Sequence, residues 1–149
     1  MRVGRHPRPR MGTEREVVAR RVVAAVLDVA IIVVMGVVAV LLIESFALEE
    51  GSSLGEFSLY AAMSVIWFSY YFLLEGFAGQ TIGKRALGIV VVKEDGSPCT
   101  FLSSFARNLL RVVDAMPGLY LVGLVSMVLS KRKQRIGDHV AGTVVVRVG

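Results

Sequence analysis

Two long apolar runs come first in this chain, and two short β-branched runs follow them. The first long run, Val22 to Ile43, carries one charge, Asp28, and follows Arg20-Arg21. The second, Phe57 to Leu74, carries no charge and is rich in aromatic residues. Each is long enough to cross a bilayer as a helix, because roughly 20 apolar residues rising ~1.5 Å apiece span a ~30 Å hydrocarbon core. The first run exceeds the length of a signal-peptide core and no small-residue cleavage site follows it, so it is expected to stay attached.

Leu87 to Lys93 is short and β-branched and ends at the turn signals Asp95-Gly96 and Ser97-Pro98, which predicts a strand. Thr143 to Val148 predicts a second, and the two are expected to pair against the membrane face. Between them, Thr100 is a candidate N-cap for a helix from Leu102 to about Ala115, which sets Arg107, Arg111 and Asp114 on one face. Pro117-Gly118 interrupts, Leu119 to Leu129 is apolar again, and Lys131 to Arg135 stops it. A single crossing here would put the strands on opposite sides of the membrane and those basic residues outside. Entry and return at Pro117-Gly118 keeps both ends on one side. The arms, ~18–21 Å each at the helical rise, fall short of a full span. The favoured reading is a re-entrant hairpin; the alternative is a third or fourth membrane helix. The expected class is an all-α membrane protein with a small cytoplasmic β element. Residues 1–18 read as a basic, disordered tail with Met11 as an alternative start, and residues 19–149 as one membrane domain.

Composition agrees. The 149 residues are 54% hydrophobic and only 19% charged, more apolar than soluble domains of this size. The link between the long runs holds Glu44, Glu49, Glu50 and Glu56, whereas arginines precede the first run and Lys84, Arg85 and Lys93 follow the second. The positive-inside rule then sets the N-terminus in the cytoplasm of a multi-pass cell-membrane protein. The net charge of +5 flanks apolar runs without aromatic interleaving, so no nucleic-acid partner is expected. One cysteine, Cys99, and two histidines exclude an internal disulfide and a cysteine- or histidine-rich metal site. No cofactor is expected. The glycine-rich stretch from Gly76 to Gly88 fits neither a Walker A nor a dinucleotide spacing, and reads as a tight turn in which Glu75 can pair with Lys84. No serine has a histidine and an acid at matching depth, so the chain does not read as an enzyme.

Chemistry concentrates at Asp28, since a carboxylate in such a run costs at least ~2.5–3.5 kcal/mol on insertion scales. Arg21 shares its helix face, but is far for a direct pair. One reading pairs Asp28 with Arg107 or Arg111 of another segment; the other has it line a watery path and titrate or bind a cation. Arg111 and Asp114 can pair at i, i+3. Asn108 can bond across helices, and Gly36 with Ala24, Ala25, Ala30 and Ala39 can supply a close helix contact.

Arg21 followed by Asp28, the run Gly79-Gln80-Thr81-Ile82-Gly83-Lys84-Arg85-Ala86-Leu87-Gly88, Arg107-Asn108-Leu109-Leu110-Arg111 with Asp114, and Gln134-Arg135-Ile136-Gly137-Asp138 together resemble the RDD family of small membrane proteins. The likeness runs from about Ala19 to Val146. The family's arginine matches Arg21 and its first aspartate Asp28; the second matches Asp114 or Asp138. The resemblance implies transport of a ligand, with sodium/proton antiport suggested for some members. The sequence thus leads to a transporter or cation/proton-translocating subunit, with Arg21, Asp28, Arg107, Arg111, Asp114 and Asp138 as ion-path candidates. The alternative is a non-transporting accessory or scaffold. The bilayer is the expected partner, with a homo-oligomer or a membrane partner protein beside it.

Overall fold

The computed structural model describes residues 6–46, 53–115 and 125–149, with backbone alone at 43–44, 46, 53–59 and 112–115. It is mostly helical. In chain order the elements are β1 (Pro9–Arg10), α1 (Val18–Phe46), α2 (Ser53–Ala78), α3 (Ile82–Ala86), β2 (Ile89–Lys93), α4 (Phe101–Ala115), α5 (125–129), α6 (Ile136–Val140) and β3 (Thr143–Val148). The Pro117-Gly118 turn lies outside the described residues.

Among the described residues, α1 and α2 are the two helices long and apolar enough to cross a membrane, and only 11% and 22% of their apolar windows are buried. A soluble core helix would be mostly buried, whereas these turn Val26, Val34 and Leu41 outward. Both helices exceed the apolar runs. α1 begins at Val18 and so carries Arg20 and Arg21; α2 continues to Ala78 and so carries Glu75. Gly36 lets the two helices approach, since a Cβ there would lie 2.7 Å from Cε of Met63. The close contact expected of Gly36 is thus made within one chain.

α4 is amphipathic in the reverse sense to a soluble helix. Ser104, Arg107 and Asn108 are buried while Phe101, Leu102, Phe105 and Leu109 are exposed. Thr100 caps it, its hydroxyl accepting from the Ser103 N–H. The helix packs on α2 through Phe105 against Phe68 and Phe72, and the Ser104 hydroxyl donates to the Phe72 carbonyl at 2.9 Å.

The strands form one antiparallel sheet in the order β1-β3-β2. Their near-continuous valines suit burial on both faces. Ile89, Val91 and Val145 pack with Val17, Ala24 and Cys99, and Val90, Val92, Val144 and Val146 form a second cluster. β2 and β3 pair as the sequence predicts. The tail corrects the sequence reading: Pro9 and Arg10 pair with Val148 and Arg147, so part of the supposed disordered segment is an edge strand.

An internal repeat emerges that the sequence reading missed. Gln-x-Ile-Gly occurs at Gln80 to Gly83 and again at Gln134 to Gly137, each followed at equal spacing by a glycine and three valines. Each copy begins with a positive-φ residue, Gly79 (66°) or Lys133 (54°), and has a second at Gly88 (64°) or Gly142 (59°). The Gln80 amide donates to the Ile89 carbonyl at 2.8 Å, and the Gln134 amide to Thr143 at 3.0 Å, the equivalent position. Val91 pairs with Val145, its own counterpart, and the flanking pairs are symmetric about it. The halves are therefore related by a local pseudo-two-fold. Lys133 is the only non-glycine with positive φ among the described residues. Gly79 takes no side chain in that slot, because its Cβ would lie 2.7 Å from the Val91 carbonyl.

α3 packs on α1 and α6 on α4 at matching glycines. A Cβ on Gly83 would run into the Ala24 carbonyl, and one on Gly137 would lie 2.8 Å from the Arg107 carbonyl. Gly83→Ala and Gly137→Ala should each destabilise the protein by about 1–3 kcal/mol, the usual effect of overpacking. Gly36→Ala meets only the flexible end of Met63 and should cost less. Thermal unfolding in detergent measures the order; equal losses at all three would contradict it.

Candidate functional site

The charged residues of α1, α2, α3, α4 and α6 converge where the helices meet the sheet. Asp28 is 1% exposed, and its carboxylate accepts from the Tyr70 hydroxyl (2.7 Å), the Thr81 hydroxyl (2.6 Å) and the Gly83 N–H (2.8 Å). Tyr70 in turn accepts from the Ile82 N–H at 3.3 Å. Asp28 thereby ties α1 to α2 and to the start of α3. Three donors satisfy a buried carboxylate without a cation.

Arg107 and Arg111, the arginines expected to pair with Asp28, reach other carboxylates instead. Arg107 lies 3.2 Å from Glu75 and 3.0 Å from Asp138. Arg21 lies 2.6 Å from Asp138 and donates to the Lys133 carbonyl at 2.7 Å. Arg111 approaches Glu75 at 3.8 Å and sits over the Tyr71 ring, 3.7 Å from its centre. Glu75 also pairs with Lys84, the pairing expected from the sequence, and accepts from the Asn108 amide at 3.2 Å. Asn108 thus does bond across helices. Glu75 and Asp138 are almost completely buried, and so are Arg21, Lys84 and Arg107.

Burial would raise the Asp138 carboxyl, but Arg107, Arg21 and Arg135 outweigh it and hold the group well below the usual carboxylate range. Burial pushes the Lys84 ammonium down to about 8; Glu75 opposes that shift, and Arg107 and Arg111 add to it. Two small cavities adjoin the network. One, of about 20 Å³, is lined chiefly by Arg21, Asp28, Lys84, Arg107, Arg111 and Arg135. The other, of about 10 Å³, is lined by Arg107, Arg111, Arg135, Gly137 and Asp138.

Of the six sequence candidates, Arg21, Arg107, Arg111 and Asp138 join one ion network, and Asp28 stands beside it on hydrogen bonds. The Asp114 side chain, and with it the expected pairing to Arg111, lies outside the described residues. The hub that the sequence reading undervalued is Glu75. A glutamate directly after an 18-residue uncharged run was an available signal. Tyr70 and Thr81 gave no such signal. No group of His, Cys, Asp or Glu that could hold a metal occurs among the described residues.

The RDD family model matches residues 16–142, a stretch that includes every member of this network. The chain belongs to the RDD family. It is also similar to the uncharacterized membrane protein YteJ of Bacillus subtilis (strain 168), at 32% identity over 103 residues. That match covers 66% of this chain and 60% of YteJ, so the likeness spans less than two thirds of the relative's length. No solved structure matches. The chain is an RDD family membrane protein, and Arg21, Asp28 and Asp138, three of the residues that carry the resemblance, stand where its halves meet. Arg21 meets Asp138 directly, and Asp28 lines the cavity that Arg21 also lines.

Removing Asp138 leaves Arg21 and Arg107 short of a buried counter-charge. Asp138→Asn should cost about 3–5 kcal/mol of stability. The wild-type carboxylate is favoured by folding, so its contribution is full above the ordinary value of 3.8 and is lost as pH falls below it. Unfolding in detergent from pH 6 to pH 2 should show this acid loss in wild type and less of it in the variant. Identical profiles would contradict the assignment.

Proposed function

We propose that this protein works as a non-enzymatic, non-transporting membrane module that binds a ligand or partner where its two halves meet. The observation that carries this reading is the state of Asp28. Three donors occupy its oxygens and tie three helices together, which is the work of a latch. Five basic side chains share its cavity wall, a setting that repels a cation. One observation favours the transport reading instead. Repeats that meet at a charged cleft are how many carriers build alternating access.

The topology proposed with it sets the N-terminus and the sheet in the cytoplasm, with the segment between β2 and β3 entering the membrane and returning. The pairing of β2 with β3 supports a return to the same side. The outward apolar face of α4 supports contact with lipid.

Flux in proteoliposomes tests the function. Wild type and Asp28→Asn should both fail to move sodium or protons above protein-free vesicles, and Asp28→Asn should lower stability. Flux in wild type that the folded Asn variant lacks would restore Asp28 as a translocating group. For topology, Cys99 is 3% exposed and unsuited to labelling. A cysteine at exposed Asp95, in a Cys99→Ser background, should react with an impermeant thiol reagent only in inside-out vesicles. Labelling of intact cells would reverse the orientation.

A further inference from the structure

One oxygen of Glu75 is contested by two cations from different helices. Arg107 lies 3.2 Å from Oε2, and the Asn108 amide donates to the same oxygen at 3.2 Å. Lys84 of α3 and Arg111 of α4 both address Oε1. Lys84 pairs with it directly, whereas Arg111 stops at 3.8 Å, beyond hydrogen-bond length. Arg111 rests instead on the face of Tyr71, 3.7 Å from the ring centre. Closing on Oε1 would take a movement of about 1 Å. Arg111 is also the most exposed of the three cations at Glu75, with 17% of its side chain open against 7% for Lys84 and 4% for Arg107. Lys84, Arg111 and Tyr71 line one cavity, so open space adjoins the contested oxygen's two cations and the ring. Asn108 Oδ1 is buried and has no hydrogen-bond partner, so this arrangement leaves the bonding around Glu75 incomplete.

We propose that Lys84 and Arg111 form a proton-operated switch at Glu75: protonated Lys84 holds Oε1 and keeps Arg111 on Tyr71, and loss of the Lys84 proton lets Arg111 take that oxygen. The switch goes beyond the binding reading above and does not rest on it. The protonated amine repels the guanidinium and occupies its target. The neutral amine does neither, and the proton leaves to water. Arginine stays charged throughout. A charge-assisted bond to a buried carboxylate then outweighs stacking on a tyrosine. Burial sets the Lys84 transition near 8, with Glu75 opposing the shift and Arg107 and Arg111 adding to it. The other titratable or charged groups around the cavity are Arg21 and Asp28 of α1, Tyr71 of α2 and Arg135 ahead of α6. The Cys99 thiol, which also senses Lys84, is pushed up by burial and stays neutral below pH 9. The consequence is a change of linkage. At neutral pH α2 is tied to α3 through Lys84; above the transition that tie passes to Arg111 of α4, while Asp28 keeps α3 on α1 through Thr81 and Gly83. The protein would thus register alkaline pH on the side of the membrane that holds the sheet.

The test is a magnetic-resonance titration of the full chain in dodecylmaltoside from pH 6 to pH 9. The protein carries lysine labelled with ¹³C at Cε and 3-fluorotyrosine. The Lys84 signal is identified by its loss in Lys84→Arg, and the Tyr71 signal by its loss in Tyr71→Phe. In wild type the two signals should shift with one shared midpoint near 8. In Lys84→Arg, whose charge does not titrate in this range, the Tyr71 signal should stay fixed. Arg111→Gln should also fix the Tyr71 signal, and should raise the Lys84 midpoint because a neighbouring positive charge is gone. If Lys84→Arg does not fold, Arg111→Gln alone decides. The switch is overturned if Lys84 shows no transition between pH 6 and pH 9, or if Tyr71 stays fixed in wild type while Lys84 titrates. A wild-type Tyr71 response persisting in Lys84→Arg or Arg111→Gln would overturn it equally. Neither readout uses flux or a ligand, so failure here is distinct from failure of the binding reading.

Discussion

Arg107 lies between two carboxylates, Glu75 of α2 and Asp138 of α6, and all three side chains are almost fully buried. Each ion alone would carry a desolvation cost of several kcal/mol in such a setting. Sharing one guanidinium, with Arg21 on Asp138 and Lys84 on Glu75, makes the assembly tolerable only when every element is in place. The two long helices make limited contact along their apolar lengths, while α4 packs on α2 through aromatic side chains. Their relative placement is fixed at this end by charge matching.

That constraint explains the reversed face of α4. In a soluble helix the polar side turns to water; here Arg107 and Asn108 turn to Glu75, and leucine and phenylalanine turn out. The same logic explains Asp28, which the first half carries beside the start of α3 and satisfies with two hydroxyls and an amide. Each half contributes carboxylates and cations, and the sheet, symmetric about Val91 and Val145, holds the halves in register.

Much of this was legible in the sequence. The two apolar helices, both main strands and the helix around Arg107 follow from hydrophobic period and turn residues, and the four motifs pointed to the RDD family. What was not legible is which charge meets which. Arg107 and Arg111 pair with Glu75 rather than Asp28, because α2 continues past its apolar run and delivers Glu75 to them, a tertiary outcome beyond local propensity. The β1 strand was hidden because Pro9 and Arg10 have little strand character, and only an edge position admits a proline. The internal repeat was readable in Gln-x-Ile-Gly and the valine triplets, and would have pointed to α6 as the counterpart of α3.

The central claim is that Glu75 and Asp138, on different elements, act as one unit through Arg107. A double-mutant cycle with Glu75→Gln and Asp138→Asn, read by chemical unfolding in detergent at neutral pH, tests it most directly. The account predicts a coupling energy of about 0.5–3 kcal/mol between the two changes. Losses that simply add would contradict it.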